Sequence, residues 1–176
     1  YMSSLINADG TWANCTNDGY TDKQAAGYNE NHGVDTFKTA SLLLDAYAMT
    51  NDSRYLTMAG TIAGHLENVA VTSDSIGGNY VHTWGDGGTP SYALWLDGLY
   101  MTLPFRAEYA EYAGDTAKLQ DIVERLTWVS ENMYDSDNGL FYHAANANNN
   151  SGTFWLRSIG WYAAALADVM DSVDST

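Results

Sequence analysis

Asp97 is a lone carboxylate in an aromatic and aliphatic stretch, Ser91-Tyr-Ala-Leu-Trp-Leu-Asp-Gly-Leu-Tyr-Met-Thr-Leu-Pro-Phe105. Desolvation by rings such as Tyr92 and Trp95 disfavours the charged form of a carboxyl group, which suits it to donating a proton. A second acid at Asp35 works in the same direction, and a nearby helix N-terminus works against it. The plainer role for an acid at such a place is a helix cap, accepting from an orphan backbone N–H.

Other residues supply binding chemistry. Arg157, within Phe154-Trp-Leu-Arg-Ser-Ile-Gly-Trp161, carries a planar fork that clamps a carboxylate through two oxygens. Helix N-termini add favourable potential for the same anion. Trp95, Trp155 and Trp161 offer flat faces for sugar rings, although large aromatics also fill cores. His82 and His143 follow two similar aromatic segments and serve either a ligand or local packing. No His-x-x-x-His or paired-Cys spacing accompanies them, so a metal centre is not expected.

Helices must position these groups. Phe37, Ala40, Leu44, Tyr47 and Ala48 give a helical face over 34–49, and Leu42 to Leu44 read as core. Asn51 or Asp52 caps a second helix running through Leu56, Ile62, Leu66 and Val69. A third opens around Asp97, with Leu99, Leu103, Ala107 and Ala110 on one face, and runs to about Ala113. Gly114-Asp115 ends it and caps a fourth through Leu119, Ile122, Leu126 and Val129. A fifth starts near Phe154.

The chain repeats itself. Met49-Thr-Asn-Asp-Ser-Arg-Tyr-Leu56 parallels Tyr112-Ala-Gly-Asp-Thr-Ala-Lys-Leu119, each a tight joint between antiparallel helices. Gly78-Asn-Tyr-Val-His82 parallels Gly139-Leu-Phe-Tyr-His143, with Asp9-Gly-Thr-Trp12 as an earlier copy, and Val34-Asp35 parallels Leu96-Asp97. The unit is helix, short turn, helix, long aromatic loop, and such units bury their inner faces by stacking on neighbours. All long loops then fall on one rim, which gathers Asp35, His82, Asp97, His143, Trp155 and Arg157. Functional residues commonly sit on loops held by a rigid scaffold.

Bulk properties narrow the function. A chain of 176 residues, 45% hydrophobic and 13% aromatic, supports one domain with a real core. A net charge of −15 argues against nucleic acid and anionic membranes as partners. The apolar run near Trp161 to Met170 is cut by Asp168 and is too short to cross a membrane. A single Cys15 cannot form an internal disulfide. Asn14-Cys-Thr16, Asn51-Asp-Ser53 and Asn149-Asn-Ser151 match the N-glycosylation pattern and tilt the compartment towards the exterior. The opening Tyr1-Met2-Ser3 reads as the middle of a helix, so a processed or truncated chain is expected.

Trp95-Leu-Asp-Gly-Leu-Tyr-Met101 with Pro104-Phe105, the Gly139-Leu-Phe-Tyr-His143 segment and Trp155-Leu-Arg-Ser-Ile-Gly-Trp161 together resemble glycoside hydrolase family 105. These are the unsaturated rhamnogalacturonyl hydrolases, related to the family 88 unsaturated glucuronyl hydrolases. The resemblance runs from about Asp35 to Asp171, with Ser158 standing where the family usually has Gly. It implies an all-α (α/α)6 toroid, of which residues 1–176 form a single domain covering roughly half the ring, with self-association covering the open edges. It also implies the chemistry. Asp97 is the general acid and base, and Asp35 is the second acidic residue. His82, Trp95, His143, Trp155, Arg157 and Trp161 contact an oligosaccharide substrate. The family releases a 4,5-unsaturated uronic acid from pectin-derived oligosaccharides by vinyl-ether hydration, with no metal or organic cofactor. The alternatives are an inactive carbohydrate-binding half-toroid, or another glycosidase on the same toroid. The latter is disfavoured because no adjacent Asp-Asp pair opens a helix.

Overall fold

The computed structural model describes residues 34–35, 37–69, 72, 74–80, 82–84, 91–146 and 150–174, without the side chains of 69, 82–84 and 91–93. The Asp9–Trp12 copy of the repeat, Cys15, the first glycosylation pattern and Asn149 of the third lie outside the described residues. The helices are α1 (Ser41–Thr50), α2 (Ser53–Val69), α3 (Leu96–Ala113), α4 (Thr116–Asn132) and α5 (Leu156–Asp174). A 3-10 turn, Phe37–Ala40, leads into α1.

The two helix joints are built alike, as their repeated sequence requires. Asn51 ends α1 in the left-handed region at φ 53°, and Gly114 ends α3 there at φ 67°. Glycine and asparagine are the residues that tolerate this conformation. Asp52 then accepts from the Arg54 amide at 3.0 Å, and Asp115 from the Lys118 amide at 3.0 Å. Each acid satisfies a donor that the first helical turn leaves unpaired.

Helix α3 is the centre of the packing. It makes its largest interface with α5 and also contacts α1, α2, α4 and the 3-10 turn. Its buried Leu96, Leu99, Leu103, Ala107 and Ala110 recur at three- and four-residue intervals, the spacing of one helical face. Leu43 and Leu44 join this core, whereas Leu42 is 59% exposed. The expectation that Leu42 to Leu44 are all core fails there because successive helical residues turn by about 100°.

The long aromatic loops contain short strands that periodicity does not reveal. β1 (His82–Trp84), β2 (Ser91–Trp95) and β5 (Ala144–Ala145) form an antiparallel sheet in the order β1-β2-β5. The register pairs His82 with Ala93, Leu94 with Ala145 and Trp95 with Ala144. A second hairpin pairs β3 (Tyr134–Asp135) with β4 (Leu140–Phe141). Phe154 bridges to Tyr142 and stacks on its ring at 5.0 Å, which holds it extended. That delays the start of α5 to Leu156.

The repeat extends to the loop backbones. Gly78 and Gly139, at equivalent positions, adopt φ 68° and 69°. The first of these loops is pinned from α4: Arg125 donates to the Gly78 carbonyl, and Asn79 donates to the Arg125 carbonyl at 3.1 Å. Tyr80 lies between the guanidinium groups of Arg106 and Arg125, at 5.2 and 5.0 Å from its ring. Among the described residues, no helix is long and apolar enough to cross a membrane.

Candidate active site

Strand β2 runs directly into α3, so Trp95, at φ −113° and ψ 141°, is the last extended residue before the helix. Asp97 is therefore the second helical residue. Its carboxylate meets a side chain from another helix rather than serving as the N-cap: Ser158, in the first turn of α5, donates from Oγ to Asp97 Oδ2. The same Ser158 Oγ lies 2.8 Å from His143 Nδ1. His143 Nδ1 is 3.7 Å from Asp97 Oδ2, and the two side chains are 16% and 13% exposed. Arg157 Nε stands 3.7 Å from the other carboxylate oxygen, Oδ1, on a side chain that is 64% exposed.

Backbone bonds fix this cluster. The Leu96 amide donates to the His143 carbonyl at 3.2 Å, and the His143 amide donates to the Thr153 carbonyl at 2.8 Å. The pairing of Trp95 with Ala144 completes the link between the start of α3 and the His143 segment. Aromatic rings close the sides. The Trp95 ring is 4.8 Å from His143, the Trp155 ring 5.8 Å from it on another contact, and Arg157 Cζ sits 5.2 Å from the Trp155 ring. One helical turn beyond Arg157, Trp161 stacks on Tyr100 at 4.7 Å, and Lys38 Nζ lies 4.8 Å from the Tyr100 ring.

Of the residues expected together at one rim, Asp97, His143, Trp155 and Arg157 are in one cluster, joined by Trp95, with Trp161 one helical turn beyond Arg157. Asp35 is exposed in the turn that precedes Phe37–Ala40. His82 lies on β1 opposite Ala93, and its side chain is outside the described residues. Sequence reasoning did not anticipate the contacts of Ser158, which gave one signal, its departure from the usual Gly of the motif. Among the described residues, no group of three His, Cys, Asp or Glu side chains has an arrangement that would hold a metal ion.

A sheltered carboxylate with a hydroxyl and an imidazole on one oxygen, and a guanidinium near the other, can transfer a proton next to an anionic group. The antiparallel helix pairs stack, and this cluster lies where loops meet the starts of α3 and α5. Comparison with known proteins makes the family plain. The model of Glycosyl Hydrolase Family 88 matches residues 5–176, and the chain belongs to that family. Among solved structures, a glycoside hydrolase of family 105 from C. acetobutylicum ATCC 824 superposes with a TM-score of 0.69 at 26% identity, over 97% of this chain and 45% of its own. A D-mannose isomerase gives 0.63 at 18% identity, over 81% of this chain and 36% of its own. An unsaturated glucuronyl hydrolase specific for heparin gives 0.57 at 14% identity, over 88% of this chain and 44% of its own. The fold is of the (α/α)6 toroid type, and this chain spans less than half the length of each of these solved relatives.

Proposed function

We propose that this chain carries the acid centre of a hydrolase that removes a 4,5-unsaturated uronic acid from the non-reducing end of an oligosaccharide, with rhamnogalacturonan fragments of pectin as the substrate class. Asp97 gives its proton to C4 of the double bond, and the ring oxygen stabilises the positive charge that develops at C5. Water then bonds to C5 and returns a proton to Asp97. The hemiketal opens to a ketone, and the anomeric hemiacetal collapses to release the adjoining sugar. One water is consumed, and no bond at the anomeric carbon is displaced directly, unlike the usual two-carboxylate route.

The observation that carries this reading is the setting of Asp97. Its carboxylate is 13% exposed and lies among Ser158, His143 and Arg157. Arg157 would clamp the uronate carboxylate, and its fork suits that group. Trp95, Trp155 and Trp161 offer faces to the sugar rings. Asp35 as the second acid and His82 as a substrate contact are proposed from their place in the repeat alone. Family membership and the 26%-identical family 105 structure support the same chemistry.

Turnover of an unsaturated rhamnogalacturonan disaccharide in heavy water tests the reaction type. The proposal expects a released keto acid with deuterium at C4 and no remaining double bond. Release of a sugar that keeps its double bond would point instead to ordinary glycosidic displacement on the same fold. Because the chain spans only 45% of the family 105 structure, a second reading is a carbohydrate-binding half-toroid, which would show calorimetric affinity without product.

A further inference from the structure

We infer that Ser158 is a positioning residue, which locks His143 in its Nδ1–H form and reserves Oδ1 of Asp97 as the oxygen that carries the transferable proton. The inference rests on Asp97 being the acid of the proposed reaction. Ser158 is completely buried, so water does not compete for its hydroxyl. Its Oγ contacts Asp97 Oδ2 and, at 2.8 Å, His143 Nδ1. A hydroxyl has one proton to donate. When Asp97 is ionised its carboxylate only accepts, so the Ser158 proton points to Asp97, and the remaining contact is satisfied only if His143 Nδ1 donates to Oγ.

Two consequences follow from this chain of donors. A free histidine side chain prefers the proton on Nε2, so Ser158 holds His143 in the less common tautomer. The backbone fixes the ring for that task through the Leu96–His143 and His143–Thr153 bonds at 3.2 and 2.8 Å. On Asp97, the Ser158 hydroxyl takes one acceptor site of Oδ2, which favours Oδ1 for a proton taken up by the carboxyl. That is the oxygen 3.7 Å from Arg157 Nε, the side on which a bound uronate carboxylate would meet the guanidinium. Ser158 therefore aims the acid without touching the reacting atoms. A glycine at this position has no hydroxyl with which to do so.

The test is the ring-nitrogen NMR signature of His143 in the intact chain near neutral pH, for wild type, Ser158→Ala and Ser158→Thr. The expected result is a protonated Nδ1 in wild type and Ser158→Thr, and a shift to protonated Nε2 in Ser158→Ala. A wild-type ring protonated on Nε2 alone overturns the inference without any variant, as does an unchanged tautomer in a folded Ser158→Ala. Kinetics on the unsaturated disaccharide give a second readout: kcat falls about tenfold in Ser158→Ala with KM little changed, and Ser158→Thr recovers most of it. Equal kcat in wild type and Ser158→Ala overturns the aiming role. A wild-type chain with the Nδ1–H signature and no turnover overturns the uronide reading, and the catalytic part of the inference with it, while the Ser158–His143 link stands.

Discussion

The Leu96 amide donates to the His143 carbonyl at 3.2 Å, so the residue preceding the candidate acid is bonded to the backbone of the histidine beside it. The acid arrives on a helix and the histidine on a loop, yet a main-chain bond sets their separation. Ser158 then joins their side chains from a third element, α5. Three segments far apart in sequence meet at one carboxylate.

Arg157 predicts a split in kinetic effects. Its side chain is 64% exposed, with Nε 3.7 Å from Asp97 Oδ1, within reach of an incoming carboxylate. Arg157→Lys keeps the charge but loses the two-pronged geometry. Steady-state kinetics on the unsaturated disaccharide should show KM raised about tenfold, with a smaller change in kcat. An unchanged KM would remove Arg157 from uronate binding.

The joints predict stability. Asp115 accepts from the Lys118 amide at 3.0 Å and is exposed, so Asp115→Ala should cost about 1 kcal/mol through the lost cap. Gly77 should be far less tolerant. It sits at φ 63°, and a Cβ there would come within 2.2 Å of Trp128 Cγ. Gly77→Ala combines left-handed strain with a steric clash and should cost about 2 kcal/mol or more. Urea unfolding of both variants ranks them, with Gly77→Ala the more damaging.

Glu108 predicts a pH dependence. Burial, with Asp45 adding to it, pushes this carboxyl up to about 7, whereas an unfolded glutamate titrates near ~4.3. Between those values the folded state holds the proton more tightly than the unfolded state, so this group's contribution to stability falls as pH rises through that window. Above it, the ionised carboxylate remains a cost to the fold. Glu108→Gln should therefore raise Tm by on the order of 2–4 °C at about pH 8, a figure already reduced for solvent screening, and by much less at about pH 5. A gain that is equal at both pH values would contradict this account of Glu108.

The helix pairs were legible in the sequence because three independent signals agreed: apolar periodicity, the Asn51-Asp52 and Gly114-Asp115 joints, and the repeat between them. The joints resolve so clearly because a left-handed terminus followed by a capping acid admits few residue types. The strands were not legible. β1, β3, β4 and β5 span two or three residues each, too short for alternation to register, and β5 finds its partner β2 in a distant part of the chain. The meeting of Asp97, His143 and Arg157 was legible at the positions that carry the family motifs. The bridging role of Ser158 was not, because it depends on how α3 and α5 pack and not on any spacing along the chain.

The most direct measurement is loss of the enol-ether absorbance of an unsaturated rhamnogalacturonan disaccharide, followed for wild type and Asp97→Asn. The account predicts a steady fall with wild type and a rate lower by at least about a hundredfold with Asp97→Asn, since the amide has no proton to deliver to C4. A comparable fall in both proteins would contradict Asp97 as the acid. No fall with folded wild type would contradict the proposed activity of this chain.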